Sequence, residues 1–146
     1  MIIEIKKFDE FSLKELYKIL QLRAEVFVVE QNCVYQDVDG KDDKALHILG
    51  YQDHQLVAYT RCFKPGDYFD IASIGRVIVK ENFRKYGYGH EIMIASIKAI
   101  ENNFHTSRIK LSAQQYLTAF YESHGFKQTG EGYLEDGIPH IAMVKS

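Results

Sequence analysis

Cysteine is nearly absent: Cys33 and Cys62 are the only two in 146 residues. Two thiols cannot build a disulfide framework, and no Cys/His spacing matches a zinc site. The expectation is two reduced cysteines and no metal. Proline is as scarce, with 2 residues, whereas Phe and Tyr number 9 and 10. Few prolines, many aromatics and low net charge exclude disorder as the dominant state. A basic excess is also missing, because 18 Lys+Arg face 20 Asp+Glu for a net charge of −2. That argues against a general nucleic-acid partner. No apolar run approaches the roughly 20 residues that span a bilayer. Met1 to Phe8 lacks the basic-then-apolar layout of a signal peptide, so the expected location is the cytoplasm, with no membrane partner.

What is present fits one domain over residues 1–146, long enough to bury a core without staples. Ile2, Ile3 and Ile5 read as a strand. Ser12, with Glu15 three residues on, forms a capping-box pattern. Leu13, Leu16, Tyr17, Leu20, Ala24 and Phe27 then recur at helical spacing to about Val28. Gln36 to Asp43 is polar and reads as a solvated loop. Ala45–Gln52 and Gln55–Phe63 read as a hairpin around Asp53-His54, although no Gly occupies the turn. After the Pro65-Gly66-Asp67 turn, Ile71–Val79 reads as a strand. A helical stripe of Ile92, Met93, Ile97 and Ile100 follows Gly87 and Gly89. Ile109–Ala113 is a short strand, and Leu117, Phe120 and Tyr121 mark a short helix stopped at Gly125. Phe126–Thr129 and Ile138–Val144 complete the pattern. The order is β-α-β-β-β-α-β-α-β-β, an α/β (α+β) chain whose simplest packing is a mixed sheet with helices on both faces.

The segment from Val77-Ile78-Val79 through Arg84-Lys85-Tyr86-Gly87-Tyr88-Gly89 runs strand, basic glycine turn, helix start. A helix N-terminus offers unpaired N–H groups to an anion, and glycine lets backbone approach a phosphate. The pattern is neither a Walker A loop nor G-x-G-x-x-G. Taken alone it serves equally as a phosphate site or as a tight turn with solvated Arg and Lys.

In context, Arg84 to Gly89 resembles the pyrophosphate motif of the GNAT N-acetyltransferases. Tyr121-Glu122-Ser123-His124-Gly125-Phe126 resembles that family's second signature. The stretches Leu22–Gln31 and Asp37–Asp43, Gly75-Arg76-Val77, and Ile138-Pro139-His140-Ile141-Ala142-Met143 are similar to its ElaA-type subgroup. The resemblance spans the whole chain. It implies a mostly antiparallel central sheet and an acetyl-CoA-dependent N-acetyltransferase, without metal, acting on a small-molecule or peptide amine in a ternary complex.

Residue by residue, the resemblance implies that the amides of Arg84, Lys85, Tyr86, Gly87, Tyr88 and Gly89 hold the pyrophosphate of acetyl-CoA. Val77, Ile78 and Val79 would pair with the pantetheine arm and polarise the thioester carbonyl. The family often has Pro where this chain has Glu81, which implies a changed loop entrance. Its Asn near the CoA arm is replaced by Gln114. Tyr121 matches the general acid toward the leaving thiolate; by helix periodicity alone it would simply pack under the sheet. A neutral amine needs a base or water relay, since an amine of pKa ~10.4 is almost wholly charged at pH 7. Glu30, Asp37, Asp39, His47 and His140 qualify by chemistry, with Glu30 and His140 favoured by position. Arg61 and Arg76, inside strands, need partners; pairing with a loop Asp is favoured over binding an acidic substrate.

Two rivals stay open. One is a catalytically silent CoA-binding sensor or interaction module of the same fold. The other is a nucleotide-phosphate binder that merely shares the loop. The acceptor is open, and a homodimer is allowed for because small members of this fold often dimerise.

Overall fold

Ser12 accepts a hydrogen bond from the Glu15 amide at 3.1 Å while Glu15 takes the Ser12 amide at 3.0 Å, so the expected capping box opens the first helix. A computed structural model describes residues 1–146. Its elements are β1 (Ile2–Lys7), α1 (Leu13–Arg23), β2 (Leu46–Gln52), β3 (Gln55–Phe63), β4 (Ala72–Val79), α2 (Tyr88–Phe104), β5 (Ile109–Gln114), α3 (Thr118–Glu122), β6 (Phe126–Glu135) and β7 (Ile138–Lys145). This is the element order read from the sequence. The sheet runs β1-β2-β3-β4-β5-β7-β6, antiparallel except for β4 beside β5.

Each face of the sheet carries its own core. Alternation sends Leu46, Ile48, Ala58, Ile74, Leu111 and Ala113 toward α2, where Ile92, Met93 and Ile100 meet them. The opposite face sends Leu49, Tyr59 and Ile78 toward Ile19 and Leu22 of α1. Truncating one of these fully buried aliphatics to Ala costs about 2–5 kcal/mol. No helix is long and apolar enough to cross a membrane.

Four local features depart from expectation. The helix expected to reach Val28 leaves α geometry after Arg23 and widens into a π-helical turn over Ala24–Glu30. The β2–β3 turn works without glycine because Asp53 and His54 themselves take left-handed φ of 50° and 65°, as a twisted two-residue hairpin demands. Residues 81–86 wind as a 3₁₀ helix rather than an open turn. Finally, β6 continues past Thr129 to Glu135 by absorbing Gly130-Glu131-Gly132 as an irregularity against β7.

The position of the site is set by β4 and β5. These strands pair only at Ala72–Ile109 and Ser73–Lys110 and then diverge. On its other edge β4 carries a bulge, since Tyr59 faces Ile78 while Arg61 faces Gly75. Arg76, at φ 49°, supplies the extra residue. A bulge bends its strand and increases local twist, which accounts for β4 peeling away from β5.

Candidate active site

The divergence leaves a polar strand edge open. Lys80 donates its amide to Val57 of β3 at 2.8 Å. Antiparallel alternation then turns Val79, and two residues back Val77, away from β3 and toward the gap. The Val79 carbonyl confirms this side, because it accepts Arg84 Nε at 2.8 Å. Ile78 is turned the other way: it pairs with Tyr59 and its side chain is buried in the α1 core. Of the three strand positions, therefore, Val77 and Val79 face the gap and Ile78 backs them.

The gap runs into the start of α2. Gly87 caps that helix with φ 75°, and a Cβ there would meet no atom within 4 Å. The Gly87 carbonyl accepts the Glu91 amide at 3.2 Å, one turn into the helix. The amides of Tyr88, Gly89 and His90 are thus free of helix partners, as at any helix start. Gly89 packs against Phe120, where a Cβ would come within 3.4 Å. Beside the loop lies an open groove of about 600 Å³ lined by Glu81, Asn82, Arg84 and Lys85. Tyr86 and Tyr88 lie side by side, with ring centroids 5.6 Å apart.

Arg84 does not offer free charge to this groove. Its guanidinium grips Glu30 at 2.7 and 2.9 Å. Of the two basic side chains at the loop, Lys85 carries an unpaired ammonium, 5.4 Å over the Tyr86 ring. The Arg84 contact places Glu30, one of the two favoured base candidates, in an ion pair that braces the loop.

Tyr121 projects from α3 into the core. Its ring meets Phe120 and Phe126 edge-on at 5.0 and 6.3 Å. The residue is buried, at 5% exposure. Burial pushes the phenol pKa well above its ordinary value, so it stays a proton donor at neutral pH.

The loop read as solvated is instead pinned by buried charge. Arg23 holds Asp37 and Asp42 at 3.0 and 2.7 Å. Arg61 holds Asp39 and Asp42 at 2.8 and 3.0 Å. Arg76 holds Asp37 at 2.8 Å. The preferred pairing of Arg61 and Arg76 with loop aspartates is therefore present, and Asp37 and Asp39 are committed to it. The arginines keep Asp39 and Asp42 below the usual carboxylate range against the opposing effect of burial. His47 donates Nε2–H to the Asp42 carbonyl at 2.9 Å and accepts the Tyr59 hydroxyl on Nδ1 at 2.5 Å. It serves this network rather than the gap.

On the far side of the gap, Ser112 and Gln114 alternate away from buried Leu111 and Ala113. Gln114 and Tyr133 both lie opposite His140 in register. His140 donates Nδ1–H to the Ile138 carbonyl at 2.7 Å, leaving its Nε2 lone pair 3.3 Å from Glu135 Oε2. Ser112 donates to Glu135 Oε1 at 3.3 Å and accepts from the Tyr133 hydroxyl. Of the residues gathered here, His140 and Gln114 were legible in the sequence, and Glu135, Ser112 and Tyr133 were not. Glu135 lies outside the strands Phe126–Thr129 and Ile138–Val144 read from the sequence, and only the continuation of β6 brings it to His140. The Asn32–Asp39 loop arches over the gap, touching the β6–β7 turn through Cys33 Sγ and the Asp136 carbonyl at 3.5 Å and the β4 bulge through Asp37. No group of three metal-ligating side chains is present.

Comparisons with known proteins agree in kind. A family model described as an acetyltransferase (GNAT) domain matches residues 9–146. The chain is 45% identical to protein ElaA of Escherichia coli over 139 residues, 94% of this chain and 91% of that protein. The crystal structure of that protein superposes with a TM-score of 0.91 at 40% identity, covering 100% of both chains. An acyl-CoA N-acyltransferase from Pseudomonas aeruginosa superposes with a TM-score of 0.94 at 42% identity, again covering 100% of both.

Proposed function

The chain belongs to the GNAT acetyltransferase family, and on that premise we propose that it moves an acetyl group from acetyl-CoA to an amine by direct attack in a ternary complex. One observation carries this: the β4 edge at Val77 and Val79, which no neighbouring strand covers, ends beside the start of α2 and its partner-free amides. A pantetheine arm is itself an extended chain of amides and can add to such an edge as a strand does. A pyrophosphate suits the helix start beyond it, with no Cβ at Gly87 to obstruct it. The donor substrate supplies an activated acetyl carbonyl and a thiolate leaving group.

The residues divide the work by chemistry. His140 Nε2, its Nδ1 proton fixed by Ile138, takes the proton that an alkylammonium must lose before it can attack. The amine nitrogen then bonds to the acetyl carbon. Backbone N–H groups of the β4 edge, Val79 foremost, hold the oxyanion that forms. Tyr121 gives its phenolic proton to the departing thiolate as the C–S bond breaks and regains a proton from the acetylated nitrogen. The His140 proton leaves to water. Gln114, beside His140, lines the donor arm, and Glu30 acts by holding Arg84 and the loop. The test is thiol release from acetyl-CoA across a panel of amines. Release above the no-amine rate, lost in Tyr121→Phe, supports the transferase. Tight acetyl-CoA binding without release for any amine would make the chain a CoA-binding sensor.

A further inference from the structure

His140 Nε2 and Glu135 Oε2 stand 3.3 Å apart. The Ile138 carbonyl can only accept, so the proton of a neutral His140 sits on Nδ1. Nε2 and the Glu135 carboxylate then face each other as two acceptors with no hydrogen between them. Either a proton arrives on His140, or a donor from outside bridges the pair. Ser112 donates to the other Glu135 oxygen, and Tyr133, its ring stacked on His140 at 6.2 Å, donates to Ser112. These contacts orient the carboxylate but do not neutralise it. The Glu135 side chain is 49% exposed, whereas that of His140 is 8% exposed. Glu135 is therefore the outer member of the pair, first met from solvent.

The aspartates of the loop over the gap are already matched. Asp37, Asp39 and Asp42 are bound by Arg23, Arg61 and Arg76. Glu135 has no Arg or Lys partner, and His140 is its one ion-pair neighbour. Conversely, each of the three arginines is already ion-paired with loop aspartates. The nearest other cation on β5, Lys110, stands at the closed end of the gap with its ammonium 4.7 Å over the Phe69 ring.

Resting on the proposed transferase reading, we propose that Glu135 binds the acceptor's ammonium and that the acceptor is a cationic amine with no carboxylate beside the reacting nitrogen, such as an alkyl diamine. The ammonium donates to Glu135 and to His140 Nε2 together. It passes one proton to His140 and leaves the nitrogen lone pair to attack, so both acceptors are satisfied at every stage. An α-amino acid would bring its own carboxylate next to Glu135, where like charges repel, while the guanidiniums of the neighbouring loop are already ion-paired with aspartates.

The experiment measures thiol release from acetyl-CoA with 1,4-diaminobutane and with alanine as probes, alongside calorimetry of acetyl-CoA. The wild type is expected to use the diamine at least tenfold more efficiently than alanine. Glu135→Gln should raise the KM for diamine at least tenfold and leave acetyl-CoA affinity within twofold. Glu135→Asp should recover part of the loss. Preferential use of alanine, or a diamine KM unchanged in Glu135→Gln, would overturn the assignment. So would acetyl-CoA binding without transfer to either amine, and that result leaves the donor site standing. Absence of acetyl-CoA binding would instead overturn the transferase reading itself.

Discussion

The Arg84 guanidinium holds both oxygens of Glu30, at 2.7 and 2.9 Å, and at the same time donates Nε–H to the Val79 carbonyl at 2.8 Å. One side chain thus ties together the end of the π-helical turn, the end of β4 and the loop that leads to Gly87. Both partners are partly exposed, so a double-mutant cycle of Glu30→Ala and Arg84→Ala should give a coupling of about 0.5–1 kcal/mol in stability, reduced by salt. Loosening the loop should also weaken acetyl-CoA binding several-fold in either single variant. Calorimetry at two ionic strengths checks both statements.

Tyr121 separates chemistry from packing. Tyr121→Phe keeps the ring that meets Phe120 and Phe126 and removes only the hydroxyl. Turnover should fall at least tenfold, with acetyl-CoA affinity within twofold and stability within about 1 kcal/mol of wild type. Equal turnover would remove Tyr121 from the proton path.

Much of this was legible in the sequence because it is local. The Ser12 cap, the β-like runs of β2 and β3, and the Gly87 and Gly89 punctuation each act over a few residues, and these elements appear where the pattern put them. What escaped depends on contacts between distant residues. Nothing near Asp37 or Asp42 announces Arg23, so the loop read as solvated even though Arg61 and Arg76 were matched to a loop Asp. Glu30 read as a base because Arg84 lies 54 residues away. The Gly130-Glu131-Gly132 stretch read as a break, and with it Glu135 was lost from the site. The divergence of β4 from β5 follows from a bulge at Arg76, a residue with no intrinsic preference for left-handed backbone.

The ion network makes the fold acid-sensitive in a defined window. Asp39 and Asp42 have lowered carboxyl pKa values, so their stabilisation is present above the ordinary value of 3.8 and is lost as pH falls below it. Burial lowers the pKa of His47 from 6.5; the unfolded chain then takes up a proton that the folded one refuses, and stability begins to decline as pH falls below about 6.5. Urea unfolding from pH 8 to pH 3 should show a gentle loss below pH 6.5 and a steeper one below pH 4. Asp42→Asn, which leaves Arg23 and Arg61 short of a buried counter-charge, should cost about 3–5 kcal/mol at pH 7.

The β2–β3 turn offers a change in the opposite direction. His54 holds φ 65° without being glycine. His54→Gly should stabilise the fold by about 0.5–1 kcal/mol, because the relief of left-handed strain outweighs the added freedom of the unfolded chain. Thermal unfolding measures this directly.

The central claim, a donor site formed by the β4 edge and the Gly87 helix start, is met most directly by calorimetric titration of acetyl-CoA into wild type and Gly87→Ala. Gly87 lies at φ 75° with open space around it, so the added methyl strains the loop and obstructs a phosphate without touching the core. The account predicts saturable one-to-one binding by wild type and at least tenfold weaker binding by the folded variant. Absence of binding by folded wild type at millimolar acetyl-CoA, or equal binding by both proteins, would contradict it.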